Sequence, residues 1–397
     1  MPQHKFSNSE QPIEAVPAPG LKPLRGAVPT SALPKVWAIL EERAGDDNQV
    51  RNLVAALGWP CEFKTPLFTM RDVILHRITG RIPRRSAQAH LFKPPWPDLV
   101  ITIGGRSAAA ARWIKLRSNG RTKLICLGRP WAPLHWFDLV VTTPQYRLPN
   151  LPNVLQNTLP LNGLPEPTDA PSADQWVSAI EKLPSPRIAV MVGGSNGNFR
   201  FDRSVAVDMA SRVDALARES GGSLMITTSP RSDPEAGKAL LESVRAPHIG
   251  FLWRPETKGQ NPYAEFLHAA DHIVVTGDSA SMIGEACATR AKVSLYELPE
   301  TLPTRLLNAL GRLGSGNDAH HDLYRPRPWV DRLIGMGCWV PRRAMNRLHQ
   351  QLLSRGRVAR LGEDPSETRD ISDLDTTLRR VRQLILEQKT ANPPDPT

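Results

Sequence analysis

Ile188-Ala-Val-Met-Val192 runs directly into Gly193-Gly194-Ser195-Asn196-Gly197-Asn198, and a helical pattern follows over Ser204–Glu219. A run that is apolar throughout, rather than alternating, fits a parallel strand covered on both faces. The theme repeats upstream at Val36–Leu40, Leu99–Ile103, Lys123–Leu127 and Leu139–Thr142. It repeats downstream at Leu224–Thr228, Ile249–Trp253, His272–Thr276 and Val293–Leu298. Helix-length segments separate the runs, at Asn48–Leu57, Ser107–Arg117, Pro234–Ser243, Tyr263–Ala269 and Ser281–Thr289. Strand and helix alternating in this way build right-handed crossovers and doubly wound sheets. The fold class expected is α/β, as two Rossmann-like domains with an interdomain cleft.

The two series of runs meet across a proline-dense stretch, Leu148–Pro186. This places an N-terminal domain over 34–160, a linker over 161–185 holding a helix at Ala173–Lys182, and a C-terminal, nucleotide-binding domain over 186–340. C-terminal helices are expected over 341–389, the last with Leu374, Leu378, Val381, Leu384 and Ile385 on one stripe. Residues 1–33 read as a disordered, proline-rich segment and 390–397 as a loose tail.

A chain of 397 residues has ample core without covalent staples. Its four cysteines, Cys61, Cys126, Cys287 and Cys338, are scattered, and no Cys/His spacing suits zinc. No metal and no tightly held cofactor is expected. The N-terminus lacks an apolar signal core and no stretch reaches membrane-span length, so a cytoplasmic location is expected. The net charge of +11 suits an anionic ligand or an anionic membrane surface. Arg342–Arg360 interleaves arginine with Met345, Leu348, Leu352 and Leu353, as a peripheral helix on the inner membrane face would, and as an ordinary surface helix would. No nucleic-acid module accompanies the charge, so nucleic acid is not an expected partner.

In open parallel sheets, ligands sit beyond the C-terminal strand ends. Gly193, Gly194, Ser195 and Asn196 form one such turn, where glycines let backbone amides approach a phosphate, or simply make a tight bend. Thr276-Gly277-Asp278-Ser279-Ala280-Ser281 forms another, with Glu285 one turn into the next helix. There Asp278, Ser279 and Ser281 serve as phosphate contacts or as plain caps, and Glu285 as a ribose ligand. Pro230 and Arg231, after Thr227-Thr228-Ser229, suit a plain turn, and Arg231 also suits a diphosphate. Gly104, Gly105 and Arg106 repeat the theme in the first domain, on the acceptor side, or form a turn with a solvent-exposed arginine. Four acids, Glu41, Glu42, Asp46 and Asp47, follow the first strand, and Asp46 or Asp47 serves as a helix cap, as a contact that only holds the loop, or as the candidate catalytic base.

Two resemblances rest on these blocks. Val192-Gly193-Gly194-Ser195-Asn196-Gly197 with Ser279-Ala280-Ser281-Met282-Ile283-Gly284-Glu285 resembles the C-terminal half of GT-B glycosyltransferases, most of all the peptidoglycan N-acetylglucosaminyl transferase. That resemblance implies that Gly193, Gly194, Ser195 and Ser279 hold the diphosphate of a UDP-sugar and that Glu285 holds the ribose. This chain departs from the pattern at Gly277-Asp278, since an aspartate beside a diphosphate is unfavourable unless paired. The second resemblance spans Lys35–Leu298. Glu42-Arg43-Ala44-Gly45-Asp46-Asp47-Asn48-Gln49, Pro97–Arg106, Thr227–Arg231, Asn261-Pro262-Tyr263 and Thr276–Met282 are similar to the "elongated mitochondria" mitochondrial-fission family of plants and its bacterial relatives, itself GT-B-like. It implies either nucleotide-sugar binding, with metal-independent glycosyl transfer to an envelope or lipid-linked acceptor, or non-catalytic recruitment of a membrane or partner. An epimerase of the extended short-chain type is not expected, because the Gly-rich dinucleotide turn is missing after the first strand and none of the four tyrosines begins a Tyr-x-x-x-Lys.

Overall fold

The computed structural model describes residues 33–41, 43–66, 91–167, 172–257, 259–306, 328–363 and 373–391. Residues 1–32 of the expected disordered segment and the tail beyond Ala391 lie outside the described residues.

Two six-stranded sheets, parallel throughout, organise the chain. The first holds β1 (Val36–Ile39), β2 (Cys61–Lys64), β3 (Leu99–Ile103), β4 (Lys123–Leu127), β5 (Leu139–Thr142) and β6 (Val154–Gln156), in the order β2-β1-β3-β4-β5-β6. The second holds β7 (Arg187–Val192), β8 (Ser223–Thr228), β9 (His248–Phe251), β10 (His272–Thr276), β11 (Lys292–Tyr296) and β12 (Ala359–Arg360), in the order β12-β11-β10-β7-β8-β9. Central strands β3, β5, β7 and β8 are buried along nearly their whole length, which is why their sequences read as unbroken apolar runs.

Each sheet is covered on both faces. Helix α1 (Ala44–Leu57) and α2 (Ala108–Arg117) flank the first, with Leu53 and Ile114 fully buried. The second is flanked by α4 (Arg203–Glu219), α5 (Pro234–Ser243), α6 (Tyr263–Ala269) and α7 (Ala280–Cys287). Asp202 and Asp233 cap α4 and α5, accepting from the amides of Val205 and Ala236, contributions of ~1 kcal/mol each.

The expected linker is not a spacer. Its helix α3 (Ser172–Glu181) packs into the second unit, where Ile180 joins the core and Trp176 meets Phe251 and Phe266 edge-on. The second unit also extends past residue 340. Helix α9 (Met345–Ser354), which follows α8 (Pro328–Gly335), buries Met345, Leu348 and Leu352 in its core, and β12 completes its sheet. The last helix, α10 (Asp373–Ala391), returns to the first unit and sets Leu378, Val381 and Ile385 against Leu53 and Leu57. Two parallel units, a cleft where their strand ends face and a final helix crossing back make the GT-B-like arrangement expected from the sequence. Among the described residues no helix is long and apolar enough to cross a membrane.

Candidate functional site

The C-terminal strand ends of both sheets open onto one cleft of about 510 Å³. From the first unit come Arg43–Asp46 at the start of α1, Leu127-Gly128 after β4, Thr142, Thr143, Gln145 and Tyr146 after β5, and Asn157 after β6. From the second come Ser229-Pro230-Arg231 after β8 and Asp278–Ser281 at the start of α7; Arg343 closes the rim. The first turns of α1 and α7 meet here: a Cβ on Gly45 would lie 2.7 Å from the Ser281 Cβ, so only glycine permits this approach.

Two of the glycine turns singled out in the sequence do not face this space. Gly193, Gly194, Ser195 and Asn196 are absent from its lining, and their polar groups are committed internally. The Gly193 amide donates to Thr276 Oγ1 at 2.8 Å, and its carbonyl accepts from the hydroxyls of Ser229 and Ser232. Ser195 Oγ accepts from the Phe201 amide at 2.8 Å, and the Asn196 side chain accepts from the amides of Asn198 and Phe199. A carboxylate already sits on the turn. Asp278, its side chain fully buried, bonds Thr276 Oγ1 at 2.7 Å, the Gly194 amide, and Arg231 Nη2 at 2.8 Å. A Cβ on Gly193 would overlap that carboxylate. The glycines therefore make room for the protein's own anion rather than for a phosphate, which corrects the expectation placed on Gly193–Asn196.

The first unit uses the same device. Glu41, from the end of β1, reaches the turn after the adjacent strand β3: its Oε1 accepts from the amides of Arg106 and Ser107, both at 3.0 Å, and from Ser107 Oγ at 3.1 Å. These are the unpaired amides at the mouth of α2, so Glu41 occupies the anion position of that helix. On Gly105 a Cβ would strike the Trp131 ring. Gly104, Gly105 and Arg106 are thus closed off and do not line an acceptor pocket.

The candidate bases separate. Asp47 Oδ1 accepts from the Glu41 amide at 3.0 Å and fixes the loop. Asp46 lines the cleft, where burial raises its pKa against the opposing pull of Arg343 and Arg43. Ser279 caps α7 by accepting from the Met282 amide, and Ser279, Ala280 and Ser281 line the cleft.

Residues 44–318 match the family described as Mitochondrial fission ELM1. The chain belongs to that family. Similar relatives are an uncharacterized protein of Rickettsia prowazekii, 23% identical over 66% of this chain and 83% of that protein, and the Arabidopsis thaliana mitochondrial fission protein ELM1, 24% identical over 50% of this chain and 51% of the plant protein. Among solved structures, the chain is similar to Staphylococcus aureus MnaA with UDP (TM-score 0.44, 11% identity, 92% of this chain and 100% of that one). It is likewise similar to Neisseria meningitidis UDP-GlcNAc 2-epimerase bound to UDP-GlcNAc (TM-score 0.40, 10% identity, 88% and 100%).

In this ELM1-family chain, Glu285 stands apart from the cleft lining. It lies at the seam between the units, accepting from Tyr263 Oη at 2.6 Å, Asn162 Nδ2 at 3.2 Å and Asn48 Nδ2 at 3.3 Å. Asn48 also brackets Gly163, and Asn162 donates to the Gly45 carbonyl. Burial pushes the Glu285 carboxyl up to about 7. Its observed partners make it a latch joining α1, the crossing segment and α7 rather than the ribose ligand the sequence suggests. Behind α7, buried His349 bonds the Gly277 carbonyl at 2.8 Å, and burial lowers its pKa, so the helix mouth is backed by a neutral imidazole.

Thr142, Gln145, Tyr146 and Arg343 are not among the residues the sequence points to as cleft residues. Thr142 ends a strand that was recognised, so its position was a usable signal. Arg343 follows no recognised strand; only folding brings it to Tyr146, whose hydroxyl accepts from its guanidinium at 2.7 Å.

Proposed function

We propose that the cleft binds a nucleotide-sugar, UDP-linked by preference, and supports metal-independent transfer of the sugar to an envelope or lipid-linked acceptor. The observation that carries this is the α7 helix mouth, Ser279–Ser281, opening into a two-unit cleft that also holds the guanidinium groups of Arg43, Arg231 and Arg343. Helix amides and guanidinium groups together favour a diphosphate and offset charge as it departs. Arg231 is half committed to Asp278, which answers the unfavourable aspartate: paired, it no longer repels the ligand. Asp46, which lines the cleft, is assigned the task of taking a proton from an acceptor hydroxyl. Calorimetric titration with UDP, GDP and their sugars tests the proposal. A dissociation constant below about 1 mM is expected for one of them, with Arg343→Ala weakening it about tenfold by loss of one charge-assisted contact. Absence of heat with every nucleotide discards it.

A second reading, recruitment to a membrane without catalysis, is favoured by a different observation. Trp329, Met336, Trp339 and Val340, in α8 and the turns after it, are 66%, 44%, 57% and 42% exposed. Paired tryptophans beside arginines suit an anionic interface, and the plant relative is named for an event that remodels a membrane. Flotation with phosphatidylglycerol vesicles, lost on Trp329→Ser with Trp339→Ser, is the expected result. Wild-type protein that stays with the soluble fraction sinks this reading.

A further inference from the structure

Two polar atoms in the cleft wall of the first unit have no partner. Thr142 Oγ1, at the end of β5, and Gln145 Oε1, in the 3-10 turn Pro144–Tyr146, belong to side chains that are each 1% exposed, and neither makes a hydrogen bond. Both residues line the cleft. Buried polar groups are nearly always paired, because an orphan retains the full cost of its lost hydration. The backbone here is not loose: the main-chain carbonyl of Gln145 accepts from the Ala344 amide at 2.9 Å, and the Tyr146 amide donates to the Thr143 main-chain carbonyl at 3.0 Å. The wall is held in place with two hydrogen-bonding heads unused.

Both heads are uncharged, and apolar Leu127, Val141 and Leu161 line the cleft beside them. A phosphate would gain little from a carbonyl oxygen, which repels it. A hydroxyl group donates to Gln145 Oε1 and either donates to or accepts from the Thr142 hydroxyl. A saccharide presents adjacent hydroxyls on an otherwise apolar ring and matches both features.

We infer that Thr142 and Gln145 form a subsite for a neutral, hydroxyl-rich sugar group, opposite the α7 helix mouth. This deepens the proposed function and rests on it for the identity of the attached nucleotide. It also moves the first unit's recognition surface from Gly104–Arg106, closed by Glu41 and Trp131, to the end of β5.

The test compares UDP with UDP-N-acetylglucosamine, UDP-glucose and UDP-galactose on wild-type protein, Thr142→Val, and Thr142→Val with Gln145→Leu. In parallel, saturation-transfer NMR uses the free monosaccharides without nucleotide. Wild type is expected to bind one UDP-sugar at least tenfold more tightly than UDP. The double variant is expected to lose that increment while UDP affinity stays within about twofold, with sugar saturation transfer abolished. Both variants are expected to melt no lower than wild type, since each change removes an unpartnered polar group. If the double variant fails to fold, the near-isosteric Thr142→Val carries the test by itself. A retained sugar increment, or UDP binding weakened as much as UDP-sugar binding, overturns the subsite. If no nucleotide binds but saturation transfer is seen and is lost in the variants, the transferase proposal falls and the subsite stands. With neither signal, both fall.

Discussion

Glu285→Gln is expected to flatten the pH dependence of stability and to leave the protein more stable than wild type at pH 8. The Glu285 carboxyl is pushed from its ordinary 4.5 to about 7, chiefly by burial, against the opposing hydrogen bonds of Tyr263, Asn48 and Asn162. Between those two pH values the folded protein holds a proton that the unfolded chain has released. Stability from this group is therefore complete below about pH 4.5 and is lost as pH rises through about 7. The full span is worth on the order of 3 kcal/mol. Glutamine reproduces the protonated acid at every pH: its carbonyl faces the two asparagines and its amide faces the Tyr263 oxygen. Denaturant midpoints of wild type and variant should nearly coincide at pH 4 and separate at pH 8. A residual slope will persist, because Asp46 and Asp278 are raised in the same sense. Glu285→Ala should behave differently. It strands three donors beside a cavity and should cost about 2–4 kcal/mol at pH 5, with the penalty shrinking toward pH 8. Parallel pH curves for wild type and Glu285→Gln would show that the carboxyl titrates normally and that the latch has no electrostatic character.

The second large effect is at Gly193. Alanine there would place a Cβ inside the Asp278 carboxylate, and that carboxylate has nowhere to retreat: Thr276 holds one oxygen at 2.7 Å and Arg231 the other at 2.8 Å. Either the ion pair breaks or β7 shifts against β10. Overpacking and an unpaired buried carboxylate each cost about 1–3 kcal/mol, so Gly193→Ala should lose roughly 3 kcal/mol or more. A phosphate-binding glycine would behave otherwise, losing ligand affinity with little change in stability. The double variant Gly193→Ala with Asp278→Ala should recover part of the loss, giving a coupling of at least about 1 kcal/mol in a double-mutant cycle. Additive effects would mean that the carboxylate is not what fills the space over the turn.

Most of the strands and helices were legible because their signal is local. A central strand buried on both faces must be apolar along its length, and β3, β4, β5, β7, β8 and β10 were all read from that property. The strands that escaped, β2, β6 and β12, are all at sheet edges or, like β12, only two residues long. Cys61–Lys64 has no fully buried residue, so no apolar run marks it. The candidate site was legible in part. Arg231, Asp278, Ser279, Ser281 and Asp46 do line the cleft, because residues after strand ends in a parallel sheet must gather there.

The amino-acid sequence by itself determined two parallel α/β units, their order along the chain and the edge at which a ligand enters, since periodicity and strand direction are properties of neighbouring residues. The tertiary structure alone decided which glycine turns are open. Glu41 fills the turn after β3 and Asp278 the turn after β7, each reaching across from the adjacent strand, and strand adjacency is not written in any local pattern. The same holds for Glu285, whose partners Asn48 and Asn162 lie 237 and 123 residues away along the chain. A carboxylate is a ligand contact, a cap or a latch according to which donors surround it, and those donors come from neighbouring strands for Glu41 and Asp278 and from outside its own unit for Glu285.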